Sequence, residues 1–251
     1  MGPALFFAFL GGLVLGSFVT VVGYRVPRGE SIVAGRSRCT TCGGQIAAYD
    51  NVPVFSWVLL RGRSRCCGER ISARYPLTEL TLGVLYVATV AVLWDDPTEV
   101  ILGLVFVTTL VAITLTDLER LVIPNRILIV AAVAAVAIIA VGDPGSLPER
   151  AIATAAAGGG LFLVALAYPR GMGLGDVKLA ALMGLYLGRN VAPAMLVALL
   201  SGSIVGLALI ARDGAEARKR AIPFGPFLAF GGMVGLLAGD QLVDLYLSTF
   251  S

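Results

Sequence analysis

Val100-Ile101-Leu102-Gly103-Leu104-Val105-Phe106-Val107-Thr108-Thr109-Leu110-Val111-Ala112-Ile113-Thr114-Leu115-Thr116 runs without a charge and ends on Asp117. Such a run approaches the roughly 20 apolar residues that cross the hydrocarbon core of a bilayer. Similar charge-free windows lie at 1–24, 80–94, 127–142, 151–169, 179–188, 190–211 and 221–239. The chain is 57% hydrophobic and 14% charged, with mean hydropathy +0.89, which excludes a soluble globule. The expected fold is an all-α polytopic membrane protein of about eight transmembrane helices, with the bilayer as its first partner.

Two windows are short. Residues 179–188 would rise only about 15 Å as a helix, so that span has to begin inside the preceding Gly173-Leu174-Gly175-Asp176 to cross. Residues 127–142 gain length if helix begins at Pro124, since proline suits a first turn and pushes Ile123 into an extended conformation. Residues 1–24 lack the basic flank of a cleavable signal and lead into an arginine-rich loop, so they read as a retained first transmembrane helix. The expected organisation is that helix, a loop domain at 25–75 and a seven-helix membrane core at 76–251.

Of the 19 basic residues, all but Arg150 and Arg189 fall in 25–75 or near Arg120–Arg126, Arg170–Lys178 and Arg212–Arg220. With alternating spans these segments share one face, which their charge makes cytoplasmic. Asp95, Asp96, Glu99, Asp143, Glu149, Asp240 and Asp244 collect on the other face, and both termini are expected there. The stretch Arg212–Arg220 reads as a topogenic loop facing anionic headgroups. Asp117 and Asp176 come out at the cytoplasmic edge of what is expected to be a cytoplasmic, or inner, membrane.

A carboxylate near hydrocarbon is costly unless paired, hydrated or neutralised, which makes these two aspartates functional candidates. The second stands in Gly173-Leu174-Gly175-Asp176, with Lys178 just beyond. Gly173 and Gly175 leave room for an extended peptide backbone to approach. An alternative is that a helix begins at Asp176 and the acid merely caps it. Asp117 has its own plain alternative, an interfacial acid neutralised by Arg120. Lys178 could act on Asp176 or snorkel to the interface. If the two acids converge, they cannot both ionise cheaply, and the pair holds one shared proton. One acid can then activate water while the other protonates a peptide carbonyl or leaving amine. That chemistry needs no histidine, and the chain has none. The glycine run before Asp176 lacks the βαβ context and spacing of a dinucleotide loop, and nothing calls for a nucleic-acid partner. Oligomeric state is not legible.

All four cysteines, Cys39, Cys42, Cys66 and Cys67, fall within 25–75. About fifty residues make a small core that usually needs a metal or disulfides. A cytoplasmic loop is kept reduced, so metal binding gains weight.

In order along the chain stand Gly16-Ser17-Phe18-Val19-Thr20-Val21-Val22-Gly23-Tyr24-Arg25-Val26-Pro27, the cysteine loop, Tyr49-Asp50-Asn51-Val52-Pro53 with Ser56-Trp57, Arg74-Tyr75-Pro76 with Glu79, the two aspartate motifs, and Ile222-Pro223-Phe224-Gly225-Pro226-Phe227-Leu228-Ala229. This succession resembles the type IV prepilin peptidases, a family of membrane aspartic proteases. The resemblance implies that Asp117 and Asp176 are the catalytic pair. It also implies cleavage of the short basic leader of type IV prepilins or pseudopilins at the cytoplasmic face, usually between glycine and phenylalanine. Many members then methylate the new amino terminus with S-adenosylmethionine.

Two departures stand out. Thr20 replaces the family's usual asparagine. The family's loop has two Cys-x-x-Cys pairs; Cys39 and Cys42 keep the first, Cys67 matches the fourth cysteine, and Ser64 stands where the third belongs. Cys66 is the candidate replacement in a structural zinc site, although adjacent thiolates rarely turn toward one ion without backbone distortion. Three cysteines with another donor, or a metal-free loop, are the alternatives, and methyl transfer is the activity this departure touches. Two other classes use membrane acids. A proton-coupled transporter predicts inverted halves that are not visible here, and presenilin-like proteases carry tyrosine where Thr116 stands.

Overall fold

The computed structural model describes residues 1–32, 38–39, 41–168, 172–214 and 222–249. Arg36, Arg170 and the basic run Arg218-Lys219-Arg220 lie outside the described residues. The described chain is helical, with only two isolated antiparallel bridges, Arg38 to Gln45 and Arg63 to Arg70. It divides into two compact units, Met1–Val92 and Leu93–Ser251.

The first unit contains α1 (Gly2–Arg25), the cysteine loop with the short α2 (Phe55–Leu59), and α3 (Arg74–Val92). α1 and α3 run antiparallel and touch backbone to backbone. A Cβ at Gly16 would sit 2.6 Å from the Glu79 Cα, and one at Gly12 would sit 2.7 Å from the Gly83 Cα. Small residues make that approach possible. Within the loop, the Trp57 indole donates to the Ile71 carbonyl at 3.1 Å and the Ser56 hydroxyl to the Tyr49 carbonyl at 2.9 Å.

The second unit contains α4 (Pro97–Arg120), α5 (Asn125–Gly142), α6 (Leu147–Ala167), α7 (Leu174–Leu187), α8 (Val191–Asp213) and α9 (Gly225–Ser248). Asp96 caps α4 by accepting from the Thr98 and Glu99 amides at 2.8 and 3.1 Å. α4 is the central helix: Phe106, Leu110 and Ile113 have no exposed surface, and Phe106 stacks on Tyr186 of α7 at 4.8 Å. The Tyr186 hydroxyl donates to the Ala131 carbonyl of α5 at 2.7 Å. α6 and α7 are antiparallel, the Gly184 position lying against Ala153 and the Gly158 position against Ala181. α8 and α9 are antiparallel too, with Gly231 against Ala194 and Gly239 against Asn190. Faces turned away from these seams, such as Val130 and Val133 on α5, carry bare apolar side chains suited to lipid.

Among the described residues, seven stretches are long and apolar enough to cross a membrane, and one of them, Leu174–Asp213, holds both α7 and α8. Its 40 residues are not one rod. Gly188 takes φ +54° and the chain reverses there. Met183 and Leu187 of α7 pack on Gly232 and Gly235 in the order that makes α7 parallel to α9, hence opposite to α8. As expected, α7 begins inside the Gly-Leu-Gly-Asp motif. Its 14 residues rise about 21 Å, the shortest of the unit's six helices.

The two basic exceptions find their explanation at one end of this unit. Arg150, 7% exposed, donates to the Leu185 and Tyr186 carbonyls and to the Glu99 carboxylate. It thereby satisfies carbonyls that α7 leaves open at its C-terminus. Arg189 pairs with Asp240 at 3.0 Å, and its amide donates to Glu149 at 2.9 Å.

Candidate active site

Asp117 occupies the last turn of α4. Leu121 ends the helix in the left-handed region at φ 54°, its amide bonding the Asp117 carbonyl at 2.8 Å. The carboxylate is 5% exposed and accepts from the Gly225 amide at 2.8 Å. That bond follows from the sequence of α9. A helix start leaves its first amides open, Pro226 has none, and the Phe227 and Leu228 amides both turn back to the Phe224 carbonyl. Gly225 supplies the amide that needs an outside acceptor, and α4 provides it. The fit requires glycine, because a Cβ at 225 would stand 2.8 Å from the Asp117 Oδ2.

Asp176 lies in the first turn of α7, which starts at Leu174 with Gly173 as cap residue. The acid is therefore the third residue of the helix and not its cap. Its carboxylate lies beside the cap residue, where a Cβ at Gly173 would sit 3.3 Å from the Asp176 Oδ2. Gly175 packs on Ile123 of the α4–α5 link, where a Cβ would sit 3.0 Å from the Ile123 Cβ. Lys178 does not serve Asp176. Its Nζ donates to the Asn125 Oδ1 at 2.9 Å, tying α7 to the first residue of α5.

These contacts gather the end of α4, the α4–α5 link, and the starts of α7 and α9 at one end of the unit, opposite the Arg150 and Arg189 network. Both acids lie at this end of the unit, and no hydrogen bond joins them among the described residues. Gly225 is the site residue whose contact the sequence reading missed. Its signal was a Gly-Pro helix start that leaves one amide without a local acceptor.

In the first unit, the thiols of Cys39, Cys42, Cys66 and Cys67 lie within 4.8 Å of one another, unoxidised. The backbone around them repeats. Cys39 N–H bonds Gly44 O and Gly43 N–H bonds Cys39 O; Ser64 N–H bonds Glu69 O and Gly68 N–H bonds Ser64 O. Gly43 and Gly68 both take left-handed φ, 69° and 70°. Ser64 thus occupies in the second turn the place of Cys39 in the first, and Cys67 that of Cys42. Cys66 nevertheless faces inward, its sulfur 3.1 Å from that of Cys42 and 3.9 Å from that of Cys67. Cys39 and Cys67 sulfurs are 3.6 Å apart. A tetrahedron with metal–sulfur bonds of about 2.3 Å has edges near 3.8 Å, so the four thiols fit zinc. Backbone amides of Cys42 and Thr41 and the Ser64 hydroxyl draw the Cys39 thiol down to about 6. The bond shared with Cys66 pushes the Cys42 thiol up to about 12, a cost that a bound cation would remove.

Beside this cluster is a cavity of about 1030 Å³, lined by α1, the loop and the start of α3. Its size matches pockets that hold cofactors.

The chain is thus a multi-pass helical membrane protein with two acids at one end of its second unit. Residues 104–211 match the type IV leader peptidase family, and residues 10–93 match the bacterial peptidase A24 N-terminal domain. A prepilin leader peptidase/N-methyltransferase of Bacillus subtilis (strain 168) is 34% identical over 244 residues, covering 95% of this chain and 96% of that one. One of Aeromonas hydrophila is 34% identical over 285 residues, covering 99% and 96%. The chain belongs to the type IV leader peptidase family and is a membrane peptidase. No solved structure matches it.

Proposed function

We propose that the chain cleaves the leader from type IV prepilins or pseudopilins through Asp117 and Asp176. The observation that supports this is that two acids, remote in sequence, lie at the same end of Leu93–Ser251. One carboxylate takes a proton from a water between them, and the water oxygen attacks the scissile carbonyl. The other acid protonates the carbonyl oxygen and, on collapse, the leaving nitrogen is protonated in turn. Gly225 holds Asp117 from the start of α9. Sidedness rests on the arginine distribution: the cysteine loop and both acids face the cytoplasm, and both termini lie outside. The substrate's basic leader meets this face while its apolar helix stays in the bilayer.

The same chain methylates the new amino terminus with S-adenosylmethionine in the first unit. The relatives' names and the cavity support this reading. Cys39, Cys42, Cys66 and Cys67 would hold a zinc ion that fixes the loop. The test uses purified protein in detergent with a prepilin carrying a glycine–phenylalanine junction. Asp117→Asn and Asp176→Asn are each expected to lose cleavage by at least about a thousandfold. Full cleavage by either variant removes that acid from the mechanism, and product mass reports methylation.

A further inference from the structure

Glu79 is a buried acid that peptide hydrolysis does not use. It is 6% exposed, on α3 at its closest approach to α1, and lines the floor of the cavity in the first unit. Its Oε2 accepts from the Val54 amide at 2.7 Å, and Ser17 of α1 lines the same cavity. No cation pairs with it among the described residues.

The Val54 contact is made at a strained point. Val54 has φ 59° and ψ −50°, a region a β-branched residue avoids, and the Phe55 amide closes on the Pro53 carbonyl at 2.5 Å. Backbone strain of this kind costs on the order of 1–3 kcal/mol and persists where surrounding structure enforces it, commonly at functional sites. The segments around Val54 and Glu79 are thus drawn together to fix one carboxylate. The Val54 amide is a neutral donor. It orients the acid without cancelling its charge, and a carboxylate in such surroundings calls for a cation.

We propose that Glu79 is the cavity's binding point and proton acceptor for a primary ammonium, the free amino terminus of a peptide. This rests on the methylation half of the proposed function. A carboxylate pinned from the loop side can accept from the ammonium and take one of its protons. The neutral amine then forms its N–C bond to the methyl group of a sulfonium donor as the C–S bond breaks, with the electron pair left on sulfur. The methylated amine carries the positive charge that the sulfonium gives up.

The test is a binding measurement with the full-length protein in detergent. The chain has two tryptophans, and Trp57 lines the same cavity, so its emission in a Trp94→Phe background reports local occupancy. A peptide beginning with a free phenylalanine amine is titrated against the same peptide N-acetylated. Wild-type binding is expected to favour the free amine by about tenfold or more, and Glu79→Gln to erase that preference while keeping the native Trp57 emission maximum. Glu79→Asp keeps the charge and is expected to retain part of the preference, which controls for a folding defect in the glutamine variant. Methylation of the free-amine peptide is expected to fall at least about 100-fold in Glu79→Gln. No amine preference in the wild type, or an undiminished one in Glu79→Gln, overturns the proposal. So does a loss of S-adenosylmethionine affinity in Glu79→Gln with the amine preference intact, which would place the carboxylate on the sulfonium. A wild type that prefers the amine but never methylates sinks the methylation reading and leaves the ammonium site standing.

Discussion

Replacing Gly225 by alanine tests the site without touching either acid. Gly225 has no positive φ, so alanine suits its backbone and by helix propensity should stabilise α9 by up to about 1 kcal/mol. The cost comes from one place. The added Cβ would stand 2.8 Å from the Asp117 Oδ2 and 3.2 Å from its Cγ, whereas non-bonded carbon contacts settle near about 3.5 Å. The carboxylate has to retreat by roughly 0.7 Å, and Asp117 is 5% exposed with the crowded core of α4 behind it. That stretches or breaks the 2.8 Å bond from the Gly225 amide. A hydrogen bond to a charged group contributes about 1.5–3 kcal/mol. At 1.36 kcal/mol per tenfold, cleavage should fall roughly 10- to 100-fold in kcat/KM. The assay is initial-rate cleavage of a leader-bearing substrate in detergent, beside thermal unfolding of the same preparation. Gly206→Ala on α8, where a Cβ meets nothing within 4 Å, is the control and should cleave normally. Parental cleavage by Gly225→Ala would refute the reasoning, because the position of the Asp117 carboxylate would then not matter. Equal losses in Gly225→Ala and Gly206→Ala would refute it as well.

Other substitutions separate stability from chemistry. Gly184→Ala places a Cβ 2.4 Å from the Ala153 carbonyl oxygen and should force α6 from α7; overpacking of this kind costs about 1–3 kcal/mol, so unfolding temperature and cleavage should fall together. Arg150→Ala removes the guanidinium that joins the end of α7 to Glu99, and breaking such a buried pair should destabilise the protein by about 3 kcal/mol in denaturant or thermal unfolding, with Arg150→Lys less damaging. Elemental analysis should find about one zinc per chain, lost in Cys42→Ser and in Cys66→Ser alike, since both sulfurs belong to the one cluster. Zinc kept in full by Cys66→Ser would leave Cys66 outside the ligand set.

The apolar runs made the helices legible, because hydrocarbon tolerates few charges and each break in hydropathy marks a surface. The start of α7 within the Gly-Leu-Gly-Asp motif was legible by length alone. What escaped were contacts between segments far apart in sequence. Lys178 stands two residues from Asp176, yet its long side chain reaches Asn125 on α5, and nothing local favours one over the other. Arg150 and Arg189 looked like exceptions to a charge rule; their partners Glu99 and Asp240 lie on other helices. Val54 defied expectation most, since no local preference puts valine at φ 59°. Only the pull of Glu79 and the closed turn at Pro53 account for it. Cys66 was legible as the replacement ligand, but the way it reaches the cluster was not. The repeat of backbone bonds puts Ser64 at the ligand position, while the cluster depends on where a sulfur points, and Cys66 points inward from two residues along.

Helix ends make the two acids unequal. Asp176 sits in the first turn of α7, where open amides and the helix dipole favour a negative charge. Asp117 sits in the last turn of α4, the end at which a dipole opposes such a charge. The start of α9 offsets that opposition by aiming the Gly225 amide at the same carboxylate. A site built this way needs three helix termini in one place, which fits an α4 that ends within a turn of its acid and a Gly-Pro that opens α9. It is also a way for a bilayer protein to support two acids at the same end of a unit. Their support comes from backbone groups that cannot rotate away, and the low dielectric around them strengthens each of those contacts.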